Sequence, residues 1–444
     1  MTSLRKLFAP LALAITLGGA TTPCAVRAQT ATTTIPITVF GEIRSRSEGD
    51  WPGGALATDF YSYLRSRLGI RAEPTHGVRI VAQVQDSRVF GAEGNISATN
   101  PDMIELHQGY LELGGGWGPR DFLVRVGRQE VIFGNERLVG ASDWSNTARS
   151  FDGARVLLTP RGSTPGAEQW TATLFAATVE ERGRKFGATT TGATTSGATS
   201  APLPDHAVAG LFASRIFASG SLDATALYDA GSHYRTYSQS NRATFDSRLR
   251  QGTNHAVGFE LEAAWQTGSQ QYQAASTSPV VNQDVSAWLL GAKLMRPEAA
   301  GRRVTGAIGG DVLSGDANAT DGTYGAFNTM FATNHQYYGL MDLLFDPAQR
   351  TDDRGLVDAL ARMAIALPPR TTLKFELHRF SPQAGDHAEI GWEGDAIVPV
   401  RISAAATVEL GYTTFRAGPA AQALALGVNG AWRHWAYLQL KASF

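Results

Sequence analysis

Arginine is the residue through which this sequence could do chemistry. The 444-residue chain carries 39 basic side chains, of which only Lys6, Lys185, Lys293, Lys374 and Lys441 are lysines, leaving 34 arginines. A guanidinium stays charged and presents a planar fork of donors that matches a carboxylate. Many of these arginines sit in alternating runs: Arg44 and Arg46, then Arg65, Arg67 and Arg71, then Arg79, Arg125 and Arg155. A period of two places them on one face of extended strands. Neighbouring guanidinium groups can pass an anion from one to the next, so the chemistry expected is reversible carboxylate binding rather than bond making. Interspersed acids, among them Glu42, Glu112, Glu130 and Asp152, would hold the arginines in place and weaken over-tight binding. Two plainer explanations stand beside this one. Arg codons abound in a high-GC genome, and the same side chains could form salt-bridge ladders that only brace the structure.

Catalytic constellations are not legible. The nine histidines are scattered without a metal-binding H-E-x-x-H, and no G-x-S-x-G, Walker A or dinucleotide fingerprint is present. Cys24 is the only cysteine. It falls within the first 28 residues, so the remainder has neither disulfides nor a thiol metal site. No cofactor or metal is expected. Nucleic acid is a poor partner, because there is no basic arm and 40 acids balance the bases.

The elements that would position the arginines are strands. Arg5 and Lys6, the apolar stretch Leu7 to Gly19 and the small residues around Val26-Arg27-Ala28 have the layout of a secretory signal peptide, with cleavage expected after Ala28. Residues 29–444 then carry a formal charge of −4. Mean hydropathy is −0.14 and only 43% of residues are hydrophobic. No later apolar run approaches the ~20 residues of a membrane helix. Alternation recurs instead. Leu64, Leu68 and Ile70 oppose the arginines of their segment; Val78, Ile80, Ala82 and Val84 oppose Arg79, Gln83 and Gln85. Val257, Phe259, Leu261, Ala263 and Trp265 oppose Glu260, Glu262 and Gln266, while Leu373, Phe375 and Leu377 oppose Lys374, Glu376 and His378. Many two-faced segments behind a leader argue for an all-β transmembrane antiparallel barrel with a lipid-facing side and a wet lumen. At roughly 23–25 residues per strand and connection, residues 29–444 make a barrel of 16–18 strands, 18 favoured, as one domain.

The chain closes on His434 to Phe444, where Ala436, Leu438, Leu440 and Ala442 share a face with terminal Phe444, and Tyr437, Gln439 and Lys441 take the other. An amphipathic last strand ending in Phe resembles the signal read by the barrel assembly machinery, and it could pair with the first strand. Tyr61, Tyr63, Tyr337, Tyr338, Trp432, Trp435 and Tyr437 are expected at the membrane girdles, with the lumen as the alternative place for some of them. Residues 180–206, which include the low-complexity GATTTGATTSGATS at 187–200, are expected as a long extracellular loop. Further loops are expected at Ser47 to Asp59, Phe90 to Asp102, Tyr234 to Asn254, Asp316 to Asn334 and Phe380 to Glu389.

One block is more specific. Residues 125–155 read RVGRQEVIFGNERLVGASDWSNTARSFDGAR. This resembles the alginate-export outer-membrane family in its GRQ strand, R-L-hydrophobic-G turn, Trp-containing loop and F-D-G-x-R strand. Gly127, Arg128, Gln129, Gly134, Arg137, Leu138, Gly140, Trp144, Asn146, Arg149, Phe151, Asp152, Gly153 and Arg155 carry the likeness. The resemblance implies an 18-stranded monomeric barrel with an Arg-lined conduit for an anionic polysaccharide or its oligomers. Lipids, the assembly machinery (through Phe444) and periplasmic export or uptake components would be its partners. Arg44, Arg46, Arg65, Arg67, Arg71, Arg79, Arg125 and Arg155 are the conduit residues expected. A general or small-organic-acid porin on the same scaffold is the alternative; a barrel enzyme or adhesin is a third.

Overall fold

The computed structural model describes residues 35–444 except 54–56, 91–103, 163–167, 181–205, 234–237, 253–256, 273–280, 298–301, 319, 368–369, 387 and 429–430. The expected leader at 1–28 and the low-complexity loop at 187–200 lie outside the described residues.

Pro36–Phe444 is one compact unit built almost wholly of strands. In chain order they are β1 (Ile37–Trp51), β2 (Asp59–Thr75), β3 (Val78–Phe90), β4 (Glu105–Trp117), β5 (Arg120–Gln129), β6 (Phe151–Pro160), β7 (Trp170–Glu180), β8 (His206–Phe217), β9 (Gly220–His233), β10 (Ser238–Gln251), β11 (Gly258–Tyr272), β12 (Val281–Arg296), β13 (Val304–Leu313), β14 (Thr323–Tyr324), β15 (Leu356–Leu367), β16 (Thr371–Ser381), β17 (Gly391–Arg401), β18 (Ala406–Ala417) and β19 (Trp432–Ser443). Each barrel strand pairs antiparallel with its neighbours, and β19 pairs with β1 from Glu42↔Ser443 to Trp51↔His434. The result is a closed antiparallel barrel of 18 strands. The two-residue β14 is not a wall strand; it sits in a connection and runs parallel to β12.

Alternation decides the faces. Val39, Ile43, Leu68, Ile70, Ile80, Val126, Leu261, Leu377, Leu438 and Leu440 lie exposed on the outside, while Arg44, Arg65, Gln85, Glu262, His378 and Tyr437 are buried inside. Charge on the outer face would cost a few kcal/mol near mid-membrane, which is why the polar half of each strand turns inward.

Two connections do not stay outside. Residues 130–150, between β5 and β6, and 314–355, between β13 and β15, fold into the lumen and pack against each other and the wall. Val131, Phe133, Leu138 and Val139 of the first meet Phe327, Tyr338 and Leu344 of the second in one apolar core. A parallel bridge, Val139↔Phe331, joins their backbones, and the Thr333 amide donates to the Glu136 carbonyl (3.0 Å) beside it. A barrel this wide leaves an aqueous channel if nothing fills it; here the two segments supply the core and narrow the pore.

Three expectations are corrected. The loop expected at Tyr234 to Asn254 is largely β10, whose inner face is Ser240, Arg242, Thr244 and Arg248. Its outer face has only Ala243, Phe245 and Leu249 as apolar signal, too sparse to stand out from a polar stretch. β1 also continues to Trp51, into the loop expected from Ser47. Of the girdle residues, Tyr337, Tyr338, Trp435 and Tyr437 are buried inside, while Trp432 is exposed outside. The phenol of Tyr437 donates to Glu409 (2.8 Å) and the Trp435 indole to Glu48 (3.1 Å), partners only the lumen offers.

Candidate functional site

β1 and β2 place Arg44 directly opposite Arg65 and Glu42 opposite Arg67. Like charges face to face destabilise a sheet unless something acidic or polar lies between them. The backbone of 143–145 fills that role. Arg44 donates to the carbonyl oxygens of Asp143 and Ser145, and Arg65 donates to the same two at 3.0 and 3.3 Å. Arg46 donates to the Trp144 carbonyl (2.8 Å) and lies 3.9 Å from the Trp144 ring centroid. Arg67 reaches the Asp143 carboxylate at 3.2 Å and the Gln85 amide oxygen at 2.6 Å. Glu42 takes Arg65 and Lys441 at 2.6 and 2.7 Å. These four arginines therefore clamp the first inward segment, and Arg65 is fully buried under it.

The other expected conduit arginines sit toward the short-turn end. Arg71 is exposed, 5.6 Å from the Phe40 ring. Arg79 and Arg125 share Glu112, each at 2.6 Å. Arg125 also stacks on Tyr110 at 4.0 Å. Arg155 is directly opposite Arg125; among the described residues no carboxylate lies within ion-pair distance of it, and its buried Nε has no partner.

The family-motif residues fall into three places. Arg128 and Asp152 form a two-pronged ion pair (2.8 and 2.6 Å) across β5 and β6. It faces outward, one row beyond lipid-facing Val126 and Ala154. Gln129 is buried, its amide donating to the carbonyls of Gly127 and Gly153. A side chain at Gly153 would strike the Ala176 carbonyl, 2.1 Å from where a Cβ would stand. Phe151 belongs to the lumen core. Trp144 is sandwiched between Arg46 and His335, whose ring stacks on it at 4.1 Å.

Arg137 is the main tie between inward segments and wall. It reaches Asp311 on β13 (2.8 Å), Glu262 on β11 (3.3 Å) and the Tyr338 hydroxyl (2.8 Å), and it stacks on Tyr337 at 3.7 Å. Burial alone would lower its pKa; Asp311, Tyr338 and Glu262 override that and raise it well above the ordinary value. Arg149 donates to the carbonyls of Gly140, Phe331 and Ala332, linking the two inward segments. Burial brings its pKa down to about 10, which still leaves it charged at neutral pH.

The inward segments leave a space on each side. Toward the long-loop end lies a vestibule of about 720 Å³ whose lining includes Arg46, Glu48, Tyr61, Tyr63, Trp144 and His335. Toward the short-turn end lies a recess of about 580 Å³ against β10–β13, β15 and β16. Short turns are periplasmic in such barrels, so the recess opens to the periplasmic half. Arg248, Arg250, Lys293 and Arg362 line it. Sequence reasoning missed these cations; two of them lie in the stretch read as a loop.

Solved structures share this architecture. OccAB4 of Acinetobacter baumannii superposes with a TM-score of 0.56 at 9% identity, covering 92% of this chain and 98% of that one. The outer-membrane protein opdK of Pseudomonas aeruginosa gives 0.56 at 11% identity, with the same coverages. OccK2 (OpdF) of Pseudomonas aeruginosa, crystallised in complex with glucuronate, gives 0.55 at 11%, again covering 92% and 98%. At that identity the likeness is one of fold. No curated protein sequence matches the chain. The Alginate export family matches residues 43–344, which include both inward segments up to Leu344 and the strands that Arg137 ties together. The chain is an outer-membrane β-barrel channel belonging to the alginate-export family.

Proposed function

We propose that the channel passes an anionic polysaccharide or its oligomers, of the polyuronate class that alginate represents, and that it does so as a monomer. The observation that carries this reading is Arg155: a lumen guanidinium opposite Arg125, with no described carboxylate within ion-pair distance and a buried Nε without a partner. A cation without an ion-pair partner, held in a confined lumen, draws an anion strongly. Arg71, Arg79 and Arg125 would continue the path, while Arg44, Arg46, Arg65 and Arg67 act through the segment they hold. The family supports a polysaccharide cargo, and the glucuronate complex of the OpdF barrel is consistent with a uronate. Periplasmic export or uptake components would hand the chain over, and the barrel assembly machinery would read Phe444.

A second reading, a porin for small organic acids, is favoured by the tight packing of the inward segments, where Val139 and Leu344 have no exposure. Planar-bilayer recording separates the two. Uronate oligomers of increasing length are titrated against neutral oligosaccharides of matched size. Block that deepens with uronate length, and weakens in Arg155→Ala, supports the polysaccharide conduit. Block by monomers alone supports the small-acid porin. A bilayer that shows no conductance sinks both.

A further inference from the structure

The recess on the periplasmic side of the inward segments has a simple origin. β13 turns Thr305, Ala307 and Gly309 to the lumen, all small. Its neighbours turn larger groups inward: Lys293 and Met295 on β12, Arg362 on β15, Lys374 and Glu376 on β16. The register runs Met295↔Ala307↔Arg362↔Glu376 across four strands, so the hollow at Ala307 is walled by a methionine on one side and a guanidinium on the other. The underside of the inward segments, at Asn135, Glu136, Gln336 and Tyr337, roofs it.

Its charges do not balance. Five cationic side chains face the recess (Arg248, Arg250, Lys293, Arg362 and Lys374), against three carboxylates, Glu136, Glu260 and Glu376. Glu260 is engaged by Arg248 and by Lys293 (3.6 Å); Glu376 takes Arg362 at 3.4 Å. Arg248 also reaches Asp223 (3.2 Å), and Lys293 reaches Asp311 (3.6 Å). Arg250 and Lys374 are left over: among the described residues no carboxylate comes within ion-pair distance of either. The Nε groups of Arg250 and Arg362 are buried without a hydrogen-bond partner. A buried donor left unsatisfied is costly, and a ligand oxygen that satisfies it recovers that cost.

We propose that this recess is a binding site for one unit of a hydroxylated carboxylate, a hexuronate in size and chemistry, and that Arg250, Arg362 and Lys374 hold its carboxylate. The inference rests on the channel reading above, and it puts the anion's resting place across the lumen from the β1–β2 arginines, which the 143–147 segment occupies. Three features select a sugar acid over a bare anion. The carboxylates, Asn135 and Gln336 offer acceptors for hydroxyl protons. Met295 and Ala307 give an apolar surface for a sugar's C–H face. The carboxylates also repel multiply charged anions such as phosphates, so a single negative charge flanked by hydroxyls fits best. The volume of about 580 Å³ is in the range of small-ligand pockets.

The test uses the full-length refolded barrel in planar bilayers with three probes: sodium glucuronate, glucose and sodium acetate. Wild-type channels are expected to show discrete blocked states with glucuronate and none with glucose. In Arg250→Gln/Lys374→Gln the mean blocked time is expected to shorten by about tenfold or more, since losing one charge-assisted contact is worth that factor. Arg362→Gln gives a second, independent reading of the same site. Heat-modifiable migration on a gel certifies that each variant is folded. If glucuronate never blocks the wild type although current flows, the uronate reading itself fails. If the wild type is blocked, Arg155→Ala abolishes the block and the recess variants do not change it, the channel reading stands and the recess site is overturned. Equal blocked times for acetate and glucuronate would overturn the sugar-acid assignment, leaving a site that reads charge alone.

Discussion

At the scale of single residues, the inward arginines were legible and their employment was not. Period-two alternation tells which face a side chain takes, and Arg44, Arg46, Arg65 and Arg67 do take the lumen face. Alternation says nothing about what lies over that face. The carbonyls of Asp143, Trp144 and Ser145 come from about 80–100 residues downstream in the chain. Arg65 is the sharpest case: it is fully buried, spanning Glu42 on the wall and the carbonyls of the inward segment. Removing one partner of a buried ion pair costs about 3–5 kcal/mol when the other is stranded. Here Lys441 still neutralises Glu42 at 2.7 Å, so most of the loss falls on the segment. Arg65→Ala is therefore expected to leave the barrel folded, loosen 142–147 and raise single-channel conductance, with blocked times for uronates nearly unchanged. Conductance recording together with hydrogen exchange on that segment checks it. A large loss of uronate block with conductance unaltered would instead make Arg65 a contact for the permeating anion.

At the scale of elements, the wall strands could be read and the inward segments could not. Lipid-facing strands carry a strict two-residue period, whereas residues 314–355 hold their apolar groups at no fixed spacing because they fill an irregular space. The signal that was available is composition. Phe327, Tyr337, Tyr338, Leu340, Leu343 and Leu344 are too apolar for a solvated loop, and all are buried. Two predictions belong to these segments. Arg137→Met would strand Glu262 and Asp311 together, although Lys293 remains 3.6 Å from Asp311. A loss of roughly 3–5 kcal/mol in denaturant unfolding is expected, with a larger and noisier conductance as 130–150 detaches. The second prediction concerns pH. Burial raises the Asp346 and Asp353 carboxyls above the ordinary value of 3.8 in the packed segment, although the Gln349 amide lowers the first and the Tyr324 hydroxyl the second. A carboxyl with a raised pKa binds its proton more tightly when packed. Its contribution is complete below 3.8 and is lost as pH rises through the raised value. Hydrogen exchange in 343–355, corrected for intrinsic rates, should be slower at pH 4 than at pH 7, and Asp353→Asn should flatten that difference. Exchange that slows with rising pH would show that other groups hold the segment shut.

At the scale of the whole molecule, the closing strand was the most legible feature, because barrel closure makes one end of the sequence answer to the other. Phe444 exchanges both backbone hydrogen bonds with Gly41, each at 3.1 Å, and its ring lies across Gly41 on the outer face. A Cβ at Gly41 would stand 2.6 Å from that ring and 2.7 Å from the Arg67 carbonyl oxygen on β2. The two obstacles differ in kind. The ring belongs to the exposed last residue and can swing aside; the carbonyl is fixed in a ladder. Gly41→Ala is thus expected to destabilise the refolded barrel by about 1–3 kcal/mol, the usual range for overpacking. Adding Phe444→Ala should recover the part due to the ring and leave the part due to the carbonyl. Assembly in cells should behave oppositely if the barrel assembly machinery reads the terminal aromatic residue. Gly41→Ala alone would insert slowly, and the double variant would insert worse, because the compensating change removes the signal itself. Refolding yield in detergent and outer-membrane abundance in cells, measured on the same three variants, separate closure from recognition. If both quantities move together across the series, Phe444 acts only as the last rung of the β19–β1 ladder.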